Sequence, residues 1–487
     1  MYREKTENTQ NKGQLRMKNK PNIIYVFADQ LGLKHLGYTG SERALTPNID
    51  ELAGECLNIC NAVSGHPVCA PYRASLFTGK YTTSTGMVIN EIRLNPNHRS
   101  MAHVLNEEGY NTAYIGKWHL YANEWGNHYD PKNSFIPKGE HRLGFDQTFA
   151  AYNFHHEYYG ECAYYHMDTP EKIYCDGYEP DVQTDMAIDK IKELSSENKP
   201  FAMFLSLGTP HDPWIPENVP SEYLEKFRDI SFELPSNYLP ENDKYADDWA
   251  KLSPHEREEL TEWIRVYYAM TANLDDNIGK LNSALKEMNI LDNTIFVFTS
   301  DHGELFGAHG RRAKNIFYEE AVRVPFLMKW GVKLGTGDCD VCLNTVDIMP
   351  TLFNMIGLPV PEKSEGTDCS AYIMGDENAP QPQGALMMGT GATATWEDGH
   401  EWRAYRTKKH TYARYLVDGK ELLFDNEKDP YQMTNLADNM EYKDVLDSLK
   451  NAMADKMCSI KDEFHPSSYY QEHWVTADRL ITKTKAE

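Results

Sequence analysis

The sequence predicts an α/β fold in which a large mixed, mainly parallel sheet is sandwiched by helices and followed by a smaller C-terminal α+β domain. Three observations predict it. Four short β-rich apolar runs end abruptly in polar residues, as strands buried on both faces of a parallel sheet do. Helical patterns fall between these runs, and alternation of strand and helix favours an α/β sandwich. From about Gln381 the texture changes to short strand-like runs with a turn. The expected organisation is a polar tail over 1–20, an α/β domain over 21–380 and the smaller domain over 381–487, whose roughly one hundred residues are an ordinary domain size.

The four runs are Asn22 to Ala28, followed by Asp29-Gln30; Thr112 to Gly116, followed by Lys117-Trp118-His119; Phe201 to Gly208, followed by Thr209-Pro210-His211; and Ile295 to Ser300, followed by Asp301-His302-Gly303. Ligands of open α/β sheets sit beyond the carboxyl ends of strands, so all four polar clusters fall where a site is expected. Among the helices, Ser253-Pro254-His255-Glu256 reads as a capping box with proline at the first helical position. Leu274, Ile278, Leu281, Leu285 and Met288 then recur on one helical face, a stripe for packing on the sheet. Near the C-terminus, Trp402 to Thr407, Thr411 to Val417 and Glu421 to Asp425 read as strands before a Lys428-Asp429-Pro430 turn. The most aromatic stretch, Tyr152 to Tyr165, reads as packing or surface, with sugar stacking as the alternative.

The chain has 487 residues, with 49 Lys+Arg against 73 Asp+Glu, a formal charge of −24. Its 41% hydrophobic and 25% charged content is that of a globular protein large enough for one big core and a smaller second one. An acidic balance without clustered Lys/Arg argues against general nucleic-acid binding, so an anionic substrate needs a local cationic site. The longest apolar runs are too short to cross a bilayer, and no membrane span is expected. Met1 to Lys20 lacks the apolar region of a signal peptide. Nine cysteines, an odd number in a long chain, argue against a disulfide framework. The cytosol is therefore the expected compartment, or the periplasm or exterior if a leader is missing. Cys339-Asp340-Val341-Cys342 is a single CxxC and reads as structural.

The informative stretch runs from Gly65 to Gly79. Pro71 fits the first turn of a helix and Gly79 its end, which places Cys69 at an N-terminus where free N–H groups and the helix dipole favour negative charge. Arg73, four residues on, shares its helix face. At the strand ends, Asp29 and Gln30 with Asp301 and His302 bring together oxygen donors suited to a hard divalent cation. Lys117 and His119 are two apart and share a face if the strand continues. His211 follows the third run, and Lys314 lies in His309-Gly310-Arg311-Arg312-Ala313-Lys314-Asn315-Ile316-Phe317-Tyr318-Glu319-Glu320.

Cys69-Ala70-Pro71-Tyr72-Arg73, with the Ala-Ser-Leu-x-Thr-Gly continuation, resembles the Cys-x-Pro-x-Arg signature of type I sulfatases of the alkaline-phosphatase-like superfamily. The other clusters follow in matching order over most of the chain. The resemblance implies that a maturation enzyme oxidises Cys69 to formylglycine, whose hydrated aldehyde is the nucleophile. It implies Ca²⁺ beside that residue, with Mn²⁺ or Mg²⁺ as alternatives, held by Asp29, Gln30, Asp301, His302 and residue 69 itself. Gln30 departs from the commoner carboxylate, and a Gln/His pair is also similar to the metal site of phosphonate monoester hydrolases and related phosphodiesterases. By the same resemblance Arg73 orients the hydrate, Lys117 and Lys314 stabilise sulfate oxygens, His211 protonates the leaving alkoxide and His119 is the base that regenerates the aldehyde. His66, His309 and Arg312 are left open as substrate contacts.

The expected function is hydrolysis of a sulfate ester on a sulfated small molecule or an oligosaccharide, with a carbohydrate as the expected substrate class. A phosphonate monoester or phosphodiester hydrolase is the alternative, and an idle glycan-binding protein with an unmodified thiol is the reading from outside catalysis. A homo-oligomer is left open.

Overall fold

The computed structural model describes residues 20–238 and 252–485. Residues 1–19 of the expected polar tail lie outside the described residues. The strands, in chain order, are β1 (Asn22–Ala28), β2 (Leu57–Ile59), β3 (Asn111–Lys117), β4 (Thr148–Tyr152), β5 (Tyr164–Tyr165), β6 (Ile173–Tyr174), β7 (Phe201–Leu207), β8 (Thr294–Ser300), β9 (Phe326–Lys329), β10 (Gly337–Cys339), β11 (Ala385–Gly389), β12 (Trp402–Arg406), β13 (His410–Tyr415) and β14 (Glu421–Asp425). Eight of them form one sheet in the order β10-β2-β9-β8-β1-β7-β3-β4. Its pairings are parallel except those of β9 with β8 and β2. The sheet is therefore mixed and mainly parallel, as expected.

The four runs read from sequence are β8, β1, β7 and β3, consecutive neighbours in the middle of that sheet. Ala28 pairs with both Leu207 and Ser300, and Gly116 pairs with Ser206, so the four strands stop nearly level. Level carboxyl ends are what bring Asp29, Lys117 and Asp301 side by side. Gly116 has φ 106, and a Cβ there would stand 2.0 Å from the Ser206 carbonyl oxygen. The last turn of β3 against β7 thus requires glycine.

Alternation along β1 splits the core. Ile23, Tyr25 and Phe27 join Tyr72, Leu76 and Phe77 of the Cys69–Thr78 helix and residues of the Met101–Glu107 and Ile348–Ile356 helices. Ile24, Val26 and Ala28 face the Pro47–Glu55, Glu179–Ser195 and Pro254–Glu287 helices. The last of these begins with the expected box: Ser253 Oγ accepts from Glu256 N at 3.3 Å, and Glu256 Oε2 accepts from Ser253 N at 2.6 Å. Leu274, Ile278, Leu281 and Leu285 are buried on the sheet, and cutting one to alanine would cost about 2–5 kcal/mol.

The second sheet is antiparallel, in the order β11-β12-β13-β14. One face, including Met387, Trp402, Ala404 and Phe424, packs on Ile316, Phe317 and Tyr318. The other, including Met388, Tyr412 and Leu423, is covered by Leu449 and Met453 of the Lys443–Ser459 helix. The segment carrying Lys314 is thereby backed by this small sheet. All nine cysteines are unbridged.

Candidate active site

The Cys69–Thr78 helix starts with Cys69 and ends at Gly79, whose left-handed φ of 63 lets its N–H reach the Ser75 carbonyl at 2.9 Å. All ten helical residues are buried, so the thiol is fixed by packing on every side. Its Sγ lies 3.3 Å from His302 Nε2 and 3.5 Å from Asp29 Oδ1. Asp29, Cys69, Asp301 and His302 each offer a ligand atom within 4.8 Å of the others, all fully buried. His302 Nδ1 faces the Gly303 carbonyl at 3.0 Å, which leaves Nε2 for the cluster.

Cations surround this group. Arg73 Nη2 donates to Asp29 Oδ2 at 3.1 Å and stands 3.6 Å from Asp301 Oδ2, while its Nη1 donates to Ser206 Oγ and to the Lys117 carbonyl, both at 2.6 Å. Lys117 Nζ is 2.7 Å from Asp29 Oδ2. Lys314 Nζ donates to Gln30 Oε1 and lies 2.7 Å from His211 Nε2. Gln30 also donates twice: its backbone N–H to Asp301 Oδ1 at 2.9 Å and its Nε2 to Glu304 Oε2 at 2.5 Å.

The electrostatics are unbalanced. Burial would raise Asp29, but Lys117, His211 and Arg73 hold its carboxyl well below the usual range. Asp301 is pushed up to about 7 by burial and the neighbouring Asp29 charge. Burial and then Asp29 raise the Cys69 thiol to about 11, so an unmodified Cys69 is a thiol at neutral pH and a poor nucleophile. Burial and Lys314 depress His211 to about 4, and burial with Lys117 pushes His119 well below an ordinary histidine. Two buried carboxylates, one with Asp301 Oδ2 lacking a hydrogen-bond partner, an imidazole nitrogen and residue 69 are a donor set that fits a divalent cation.

A cleft of about 710 Å³ opens beside the cluster and is lined by His119, His211, Lys314 and Arg312 among others. The expected site residues are thus brought to one place. Lys117 and His119, however, do not share a strand face: β3 stops at Lys117, and His119 takes a left-handed φ of 58 beyond it. Lys117 turns into the ion cluster and His119 lines the cleft. Gln30, Ala313 and Asn315 also have positive φ, 67, 58 and 69, so strained backbone gathers around the reactive groups. Arg312 lines the cleft, whereas His66 bonds Thr82 Oγ1 at 3.1 Å and His309 stacks on Tyr318 with ring centres 3.6 Å apart.

Several participants were not read from sequence. Glu304 is buried, raised to about 7 by burial, and accepts from Gln30 and from the Phe306 and Ala313 N–H groups. Its position two residues after His302 was the available signal. His156 stacks on His211 at 4.0 Å and lies 3.5 Å from Lys117 Nζ. It belongs to the Tyr152 to Tyr165 stretch, which proves to be mostly core: Tyr152, Tyr158 and Tyr164 are buried, and Phe154 and His156 reach the cleft. The loop after β11 adds Gly391, Thr393 and Glu397 to the wall.

Among the described residues no helix is long and apolar enough to cross a membrane. The solved phosphonate monoester hydrolase of Agrobacterium radiobacter matches with TM-score 0.68 at 22% identity, over 91% of this chain and 96% of that one, and shows the fold alone. The solved yidJ structure of Bacteroides fragilis matches with TM-score 0.78 at 29% identity, over 93% of this chain and 98% of that one. An ulvan-active sulfatase of Formosa agariphila is 36% identical over 458 residues, 93% of this chain and 84% of the relative. The C-terminal family model of N-sulphoglucosamine sulphohydrolase matches residues 307–459. With the sulfatase family model matching residues 21–358, this chain belongs to the sulfatase family of the alkaline-phosphatase-like superfamily and is a sulfate ester hydrolase.

Proposed function

We propose that this sulfatase removes sulfate from a carbohydrate, using a nucleophile made at Cys69. The observation that carries this reading is the position of Cys69 Sγ, 3.3 Å from His302 and 3.5 Å from Asp29 inside the four-donor cluster. The groups this site would hold are a divalent cation, Ca²⁺ with Mn²⁺ or Mg²⁺ as alternatives, and a formylglycine hydrate in place of the thiol, which together supply a hydroxyl nucleophile at neutral pH. Asp29, Gln30, Asp301, His302 and residue 69 would hold the cation. A formylglycine-generating enzyme is the partner that this reading requires.

The chain's own residues then divide the work. Arg73, held by Asp29, Ser206 and the Lys117 carbonyl, orients residue 69. Lys117 and Lys314 are fixed by their partners and present charge to sulfate oxygens without reorganisation during the reaction. His211 delivers the proton to the leaving alkoxide, and Lys314 beside it assists. Burial and then the Lys314 charge depress His211, and an anionic sulfate next to Lys314 offsets the second of these. His119, with an Nδ1 lacking a hydrogen-bond partner, takes the base role in product release. The carbohydrate class rests on the ulvan-active relative and on the aromatic and hydroxyl-bearing cleft wall.

The peptide mass at Cys69, on protein from its natural host or made with a maturation enzyme, tests the nucleophile. An aldehyde is expected, and persistent thiol beside active maturation machinery would overturn it. The Gln30/His302 pair keeps a phosphodiester hydrolase as the second reading. Turnover of an aryl sulfate and an aryl phosphodiester, measured side by side, decides between them, and a strong preference for the phosphodiester would reverse the choice.

A further inference from the structure

The cleft continues past His119 to Glu91 and His128. Glu91, 9% exposed, accepts from Gly126 N at 2.6 Å and lies 3.1 Å from His128 Nε2. From the other side Asn133, fully buried, donates to the Gly126 carbonyl at 2.6 Å and the Glu124 carbonyl at 3.2 Å, and accepts from Asn123 N at 2.8 Å. The loop 123–128 is therefore fastened on both flanks by buried polar side chains. Between the two anchored carbonyls, Trp125 is 62% exposed.

Stability does not account for that arrangement. Holding Gly126 and Asn127 in left-handed backbone, φ 69 and 49, costs conformational freedom. A tryptophan offered to water forgoes the burial that makes the residue valuable in a core. A rigid loop that borders the cleft through His128 and exposes an aromatic ring three residues earlier is instead a prearranged binding surface. Its surroundings choose the ligand: a single exposed indole in a loop that also carries the polar side chains of Glu124, Asn127 and His128, the first two bonded to each other at 3.0 Å, suits a pyranose, which has an apolar C–H face and a rim of hydroxyls.

We propose that Trp125 is a stacking platform for the sugar ring adjoining the sulfated residue, which makes this sulfatase an enzyme of oligosaccharides rather than of monosaccharide sulfates. The proposal rests on the carbohydrate reading above. Matured wild type, Trp125→Ala and Trp125→Phe are to be assayed on 4-nitrocatechol sulfate and on sulfated mono-, di- and tetrasaccharides from algal and animal polysaccharides. Trp125→Ala should raise KM for di- and tetrasaccharides about tenfold at unchanged kcat, the size of a lost aromatic stacking contact. Monosaccharide and aryl sulfate kinetics should stay within about twofold, and Trp125→Phe should recover most of the loss. Equal loss on the aryl sulfate, or none on the longer saccharides, overturns the platform. Isothermal titration calorimetry of Cys69→Ala protein with the tetrasaccharides, a readout that does not depend on the Trp125 indole, separates the two readings. Binding lost on adding Trp125→Ala supports the platform even if no sulfate ester is turned over, whereas binding indifferent to Trp125 overturns it.

Discussion

Buried carboxylates in two regions of this molecule behave in opposite ways. Beside the small sheet, Asp462 meets Arg403 at 2.5 and 3.0 Å, and Glu319 meets Arg406 at 2.6 and 3.0 Å. Burial alone would raise both, yet each arginine holds its partner below the usual carboxylate range. At the carboxyl ends of the large sheet, Asp301 is as deeply buried and is pushed up to about 7, because it shares its surroundings with Asp29. Arg73 serves Asp29 at 3.1 Å and reaches Asp301 only at 3.6 Å. Matched one to one, buried ions are tolerated as part of the fold. Crowded beside Arg73 and Lys117, with a thiol and an imidazole between them, two carboxylates leave Asp301 without a counter-charge of its own and hold charge in reserve for a ligand.

The sharpest break in that comparison is Cys69→Ala. It removes the proposed nucleophile from the crowded region and should lower aryl sulfate turnover by about 10⁴-fold or more. Urea unfolding should be nearly unchanged, since alanine suits a first helical turn; substantial residual turnover would place the nucleophile elsewhere. Lys314→Ala comes next. In the proposed role its charge acts most strongly on the transition state, so kcat should fall about 10²–10³-fold with only a small change in KM. A variant with intact kcat and weakened binding would contradict that role.

What the sequence could show follows from the range of the interactions involved. β1, β3, β7 and β8 were legible to within about a residue because strands buried on both faces must be apolar throughout and must end where chemistry begins. The Ser253 box and the Cys69 helix were legible because caps are local. β2 and β10, three residues each, carry no period, and antiparallel β9 looks like any apolar run. His156 and Glu304 take their meaning from His211 and Gln30, partners far away in the chain, which no local pattern records. The turn of His119 out of strand conformation is likewise set by packing against Asn153, whose carbonyl accepts the His119 N–H at 2.8 Å.

In the matched region the expected loss is of stability alone. Asp462→Asn leaves Arg403 without its counter-charge and should cost about 3 kcal/mol in urea unfolding at neutral pH, with turnover per folded molecule intact. The sign of the pH dependence follows from the depressed carboxyl. Its contribution is present above the unfolded pKa of about 3.9 and is lost as pH falls through the lower folded value. The variant should therefore lose less stability than wild type on acidification from about pH 5 to 3. A parallel acid limb in both proteins would mean that Asp462 is not held down by Arg403.

The smallest effect, and the one that isolates the difference between the regions, is the response to calcium after chelator treatment. A ligand that binds only the folded state contributes about 2.7 kcal/mol at a hundredfold excess over its Kd, which in a chain of this size is a rise of a few degrees in Tm. Asp301→Asn relieves the crowding of Asp29 and replaces a proposed charged ligand with a neutral amide, so most of that rise should vanish, together with calcium-dependent turnover. Asp462→Asn, equally buried but matched, should keep the full calcium increment on its lower baseline. If both variants keep it, the charge gathered at the ends of β1 and β8 is not what holds the cation, and crowding at that place has another cause.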